Sequence, residues 1–137
     1  ERFLLEERSN VEWAENGEHL PLWIVHGTRD LPEANSGVLI ERWEKLGYSI
    51  KHDHPDVGHN VWGPTYVELK GIKWLLAAPK LDPEPRHVRF RTMRTRYGKS
   101  AWVSVVDFVN ESTWVDIDAR ITSRTSYGVR VSAGTTS

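Results

Sequence analysis

The sequence contains no cysteine. That excludes disulfides, thiolate metal sites and a cysteine nucleophile, and it fits any cellular compartment. No apolar run approaches the roughly 20 residues of a membrane-spanning helix, so no membrane partner is expected. No charge sign dominates either: the formal net charge is −1. Such a chain has no global field to draw nucleic acid, and none is expected as a partner. Methionine occurs once and phenylalanine three times, against seven tryptophans. What remains is 39% hydrophobic and 27% charged residues over 137 positions, enough apolar material for a core.

The charge is unevenly placed. Residues 1–80 hold nine Lys and Arg against thirteen Asp and Glu, net −4, whereas residues 81–137 hold nine against six, net +3. That step suggests two parts, and the stretch 79–86, PKLDPEPR, supplies a boundary. Its three prolines make a stiff linker. The expected division is 1–80 and 81–137. The chain starts at Glu1 with no initiator Met and no signal-like apolar stretch, and is read as a fragment of a longer protein.

Residues 1–18 read as a short helix or irregular lead-in with a turn at Asn16-Gly17. Leu22, Trp23, Ile24 and Val25 form a continuous apolar run ending in His26-Gly27, the pattern of a parallel strand buried on both faces. Residues 33–46 have helical spacing through Val38, Leu39, Trp43 and Leu46, with Pro32 at the entry and Gly47 placed as the residue after the cap. Residues 48–52 alternate as a second strand, completing a βαβ unit. Residues 52–60, HDHPDVGHN, form a loop, and 64–78 return to helical periodicity.

Beyond the linker the period changes to two. Expected strands run through HVRFRTMRT, through AWVSVVDFV at 101–109, through WVDIDARI at 114–121, and from Tyr127 to Val131, with a turn at 110–112. The reading is an antiparallel meander with one wet face. Arg89, Arg91, Arg94 and Arg96 form a basic stripe on it, expected to be solvated or to meet acidic groups of residues 1–80 rather than nucleic acid.

Two loops could carry chemistry, HGTRDLP at 26–32 and HDHPDVGHN at 52–60. Both follow predicted parallel strands, where sites collect in open α/β sheets. A carboxylate on one tip and an imidazole on the next could pair, fixing the tautomer of a general base. PLWIVHGTRDLP, followed 29 residues after Asp30 by Gly58-His59, resembles the C-terminal part of an α/β-hydrolase of the prolyl oligopeptidase-like serine peptidase and esterase family. The resemblance covers roughly residues 19–78 and implies a partial parallel sheet with flanking helices, followed by a small antiparallel β unit. It makes Asp30 the triad acid and His59 the general base, with a peptide or ester as substrate. The family's nucleophile elbow, G-x-S-x-G, is missing; Gly47-Tyr48-Ser49-Ile50-Lys51 lacks the final Gly. The nucleophile is therefore expected from an upstream portion of the same protein, and the chain alone is expected to be no competent hydrolase. No cofactor or metal is assigned.

Other readings stand beside this one. Asp30 and His59 could be ordinary loop residues. His26 is expected to pack or hydrogen-bond at a strand end, and His52 and His54 to be exposed or to support others. His52, His54, Asp56 and His59 resemble the H-x-H-x-D-H signature of metallo-β-lactamase-type hydrolases, with Val57 at the sixth position and only His87 downstream. A non-catalytic binding or assembly module is the third reading. Trp23, Trp43 and Trp74 are expected on core faces and Trp62 near a site mouth. A half sheet would leave apolar faces uncovered, predicting self-association or binding to the missing half.

Overall fold

The computed structural model describes residues 2–32, 34–110 and 113–134, with side chains from residue 5 onward. Helices and strands are mixed, with one small parallel sheet and two antiparallel ones. The chain divides into two compact units. One comprises the described residues of Glu1–Glu18 and Asp82–Ser137, the other His19–Leu81. The second break coincides with the proline-rich linker. The first differs from the expected 1–80 grouping, because residues up to 18 belong with the β-rich unit.

In the unit His19–Leu81, strand β1 (Leu22–Val25) and strand β2 (Ile50–Asp53) pair in parallel, Leu22 opposite Ile50 and Val25 opposite Asp53. Helix α2 (Ala34–Lys45) connects them and buries Ile40 and Trp43. Residue 33, the expected first helical position, lies outside the described residues. Gly47 ends the connection as expected. It sits at φ +72°, its N–H donates to the Glu44 carbonyl, and the Tyr48 N–H donates to the Trp43 carbonyl. This double closure satisfies two carbonyls of the last turn, and glycine takes the left-handed conformation without a Cβ penalty.

The expected helix over 64–78 is broken. Helix α3 covers Trp62–Tyr66, a 3-10 turn covers Val67–Leu69, and helix α4 covers Lys70–Ala77. Glu68 and Leu69 have φ of 50° and 60°, which interrupts the ladder at two non-glycine residues. Trp23 of β1 and Trp74 of α4 meet with ring centroids 5.4 Å apart and are partly buried. Outward from there, Leu69, Ile72, Leu75 and Leu76 are exposed, Leu76 at 80%.

The other unit is a three-stranded antiparallel sheet, β3 (His87–Thr92), β6 (Val115–Ile121) and β7 (Tyr127–Ala133), in that order. The intervening β4 (Lys99–Ser100) and β5 (Val103–Ser104) make a minimal hairpin. The alternating stretch 101–109 thus forms only a two-residue strand; beyond Val105 no strand among the described residues pairs with it, and Val106 and Val109 are exposed. Residues 111 and 112 of the expected turn lie outside the described residues. Val88, Phe90, Ile117 and Ala119 form the core, closed by Trp102, Val103, Val105 and Val115.

The opposite face of β3 is drier than its alternation implied, because the N-terminal segment lies on it. Helix α1 (Arg2–Glu7) and a 3-10 turn (Ala14–Gly17) bring four glutamates to the arginine stripe. Arg91 is 2% exposed, with Asp116 at 2.9 Å, Glu15 at 3.2 Å and Glu12 at 3.6 Å. Arg94 pairs with Glu7 through two donors, at 2.6 and 3.0 Å, and Arg89 pairs with Glu18. Asn16 completes the attachment, accepting from the Arg91 N–H at 2.7 Å and donating to its carbonyl at 3.0 Å. The basic stripe therefore meets acidic groups of its own chain, as its sequence setting implied.

Candidate functional site

The site is built where β1 and β2 end. The strands continue as a looser ladder between the two tip loops. The His26 N–H donates to the Asp53 carbonyl, Thr28 N–H to that of Pro55, and Arg29 N–H to that of Val57. Gly27 is what lets the loops come so close. A Cβ there would lie 2.3 Å from the Val57 oxygen and 2.4 Å from the Gly58 oxygen, distances no side chain tolerates. Arg29 adds a clamp, with its guanidinium 3.1 Å from the Asp56 carboxylate and donating to the Asp56 carbonyl at 2.8 Å.

This arrangement brings Asp30 and His59 together. His59 Nδ1 lies 3.0 Å from Asp30 Oδ2. The carboxylate is the acceptor, so Nδ1 donates to it and Nε2 is left without that partner. The His59 side chain is 96% exposed, whereas Asp30 is only 25% exposed. A sheltered carboxylate thus orients an imidazole whose second nitrogen faces out. That is the geometry a general base requires.

Behind Asp30 stands His26. Its Nε2–H donates to the Asp30 carbonyl at 2.9 Å, and its Nδ1 lies 2.8 Å from the Ser36 hydroxyl. The two contacts together fix the orientation of the ring. His26 is thus a strand-end hydrogen-bonding residue, as expected. Ser36 and the Arg29–Asp56 clamp went unnoticed in the sequence. The clamp had a signal, opposite charges on the two loops; Ser36 had none beyond its place in the first turn of α2.

The four residues of the metal-type pattern do not converge. Asp56 is taken by Arg29 and by the Thr28 hydroxyl at 3.3 Å, and His59 by Asp30. His52 and His54 contact each other instead, Nδ1 to Nε2 at 3.2 Å. Among the described residues no group of three His, Asp or Glu side chains is placed to hold a metal ion. Trp62 is exposed and stacked on Tyr66 at 5.4 Å, and its backbone N–H donates to the Asn60 side-chain oxygen.

At the base of the site, Asp53 tips the end of β2. Partial burial raises its pKa, but the hydrogen bond from Lys70 at 3.1 Å and the charges of Lys70 and Lys51 outweigh that and hold the carboxyl below its usual range. Comparison with protein-family models, curated proteins and solved structures returns no match.

Proposed function

We propose that this chain is the C-terminal part of an α/β-hydrolase domain of the prolyl oligopeptidase-like serine peptidase and esterase type. Asp30 and His59 supply the acid and the base of its triad. The observation that carries this reading is the 3.0 Å contact from His59 Nδ1 to Asp30, made across the tips of adjacent parallel strands with the far side of the ring exposed. The order strand, acid, helix, strand, His supports it as well.

The nucleophilic serine comes from chain outside these residues. As its Oγ bonds to the substrate carbonyl carbon, its proton passes to His59 Nε2, and Asp30 stabilises the imidazolium. His59 then protonates the leaving amine or alkoxide as the scissile bond breaks. A water repeats the sequence to release the acid. The exposed face of α4 is where the rest of such a domain would pack, making the upstream portion of the protein the natural partner and self-association the alternative.

The test is labelling of the full-length gene product with a fluorophosphonate probe. Labelling should fall by about 10³–10⁴-fold in His59→Ala and in Asp30→Asn, the scale of triad disruption. Labelling that is indifferent to both substitutions would sink the reading, as would labelling of the 137-residue chain alone.

A further inference from the structure

We propose that His52 and His54 form a two-imidazole site for a late divalent transition-metal ion, Cu²⁺ foremost. The two residues lie at the end of β2 and just beyond it. Side chains alternate along a strand, so residues two apart share a face. Asp53, between them, turns instead to Lys70.

The donor geometry is the main support. His52 Nδ1 and His54 Nε2 are 3.2 Å apart, and the ring planes are inclined at 73°. Two imidazole nitrogens, each about 2.0–2.1 Å from one ion and subtending roughly 90–110°, sit about 2.9–3.4 Å apart. The two nitrogens thus already have the separation that a shared ion imposes. In its absence they are within hydrogen-bond distance of each other. Both side chains are exposed, leaving room for an ion to enter and for water to complete its coordination.

A second feature points the same way. Glu44 of α2 places a carboxylate oxygen 3.7 Å from His52 Nε2, the nitrogen that would not bind the ion. A carboxylate hydrogen-bonded behind a ligating histidine raises the basicity of the inner nitrogen, and Glu44 is at ion-pair distance, within a small side-chain movement of that bond. Imidazole donors suit Cu, Ni and Zn, and the order of divalent affinities places Cu²⁺ first. The site uses neither Asp56 nor His59, so it is independent of the Asp30–His59 pair.

Titration of the chain with Cu²⁺ followed by calorimetry should give one saturable site. Electron paramagnetic resonance at one equivalent should show hyperfine coupling to two imidazole nitrogens. His52→Ala and His54→Ala should each weaken binding at least about tenfold, and Glu44→Gln about tenfold. His19→Ala and His87→Ala should leave it unchanged. Circular dichroism verifies that each variant is folded, and His52→Asn serves as a second, polar variant at the first position. Binding that survives in the double variant His52→Ala/His54→Ala, or the lack of saturable binding by the parent chain, would overturn the proposal.

Discussion

The imidazole of His26 donates from Nε2 to the carbonyl oxygen of Asp30 at 2.9 Å, tying the end of β1 to the backbone of the residue that carries the carboxylate. The Ser36 hydroxyl fixes the opposite nitrogen. Removing that hydroxyl by Ser36→Ala should cost about 0.5–1.5 kcal/mol, the net worth of one hydrogen bond. Urea denaturation of the chain reads this, and the Asp30 amide resonance should shift in the same variant. An unmoved resonance would mean that the His26 ring is held by other contacts.

Gly27→Ala should be more damaging. The added methyl would meet two backbone carbonyls, and neither can rotate away as a side-chain end could. The loops must separate, at about 1–3 kcal/mol of overpacking strain. The expected signature is loss of the hydrogen bond between His59 and Asp30. It is read by the ¹⁵N shifts of the His59 ring, with a lower melting temperature alongside.

Arg91 is the most consequential charge in the β-rich unit. Arg91→Met removes the guanidinium from Glu12 and Glu15, which are largely sheltered, and from the part-exposed Asp116. Breaking a buried ion pair from one side typically costs about 3–5 kcal/mol. Equilibrium urea unfolding should show a loss in that range. A loss under about 1 kcal/mol would mean that water enters and solvates the carboxylates.

Acid should weaken the His19–Leu81 unit through Asp53. Its pKa is lower in the folded chain, through the net effect of burial opposed by Lys70 and Lys51. A depressed carboxyl contributes stability that is fully present above its unfolded value of about 4. That contribution is lost as pH falls through the lower, folded value. Melting temperatures recorded from pH 7 down to pH 3 should fall less steeply for Asp53→Asn than for the parent. Parallel curves would rule out this linkage.

The exposed leucines of α4 offer a test by association. Leu75→Glu with Leu76→Glu should reduce any self-association of the chain at millimolar concentration, measured by light scattering. An unchanged scattering mass would place the contact surface elsewhere.

The segment from β1 to β2 was legible because each local signal agreed: a short apolar run, a helical period, and a glycine where only a left-handed residue closes the last turn. That Asp30 and His59 meet follows from motif order, because strand tips are fixed by the βα connections. The grouping of the N-terminal segment with the β-rich unit is not legible, because nothing local ties the two together. Its bonds are charge pairs spanning 71 residues in Arg89–Glu18 and 87 in Arg94–Glu7. Alternation at 101–109 failed for a different reason, since a period of two describes a ribbon that could pair but names no partner. The break at Glu68 and Leu69 carried no glycine or proline to announce it.

Because the chain enters His19–Leu81 from one part of the β-rich unit and returns to another part of it, that segment is anchored at both ends. If that segment melts while the other unit stays folded, it becomes a closed loop rather than a free tail. Its disordered ensemble is correspondingly smaller, and loop-closure entropy that a cross-link would otherwise remove is already gone. The glutamate–arginine pairs thus act on the stability of residues they never touch, by limiting what those residues gain on unfolding.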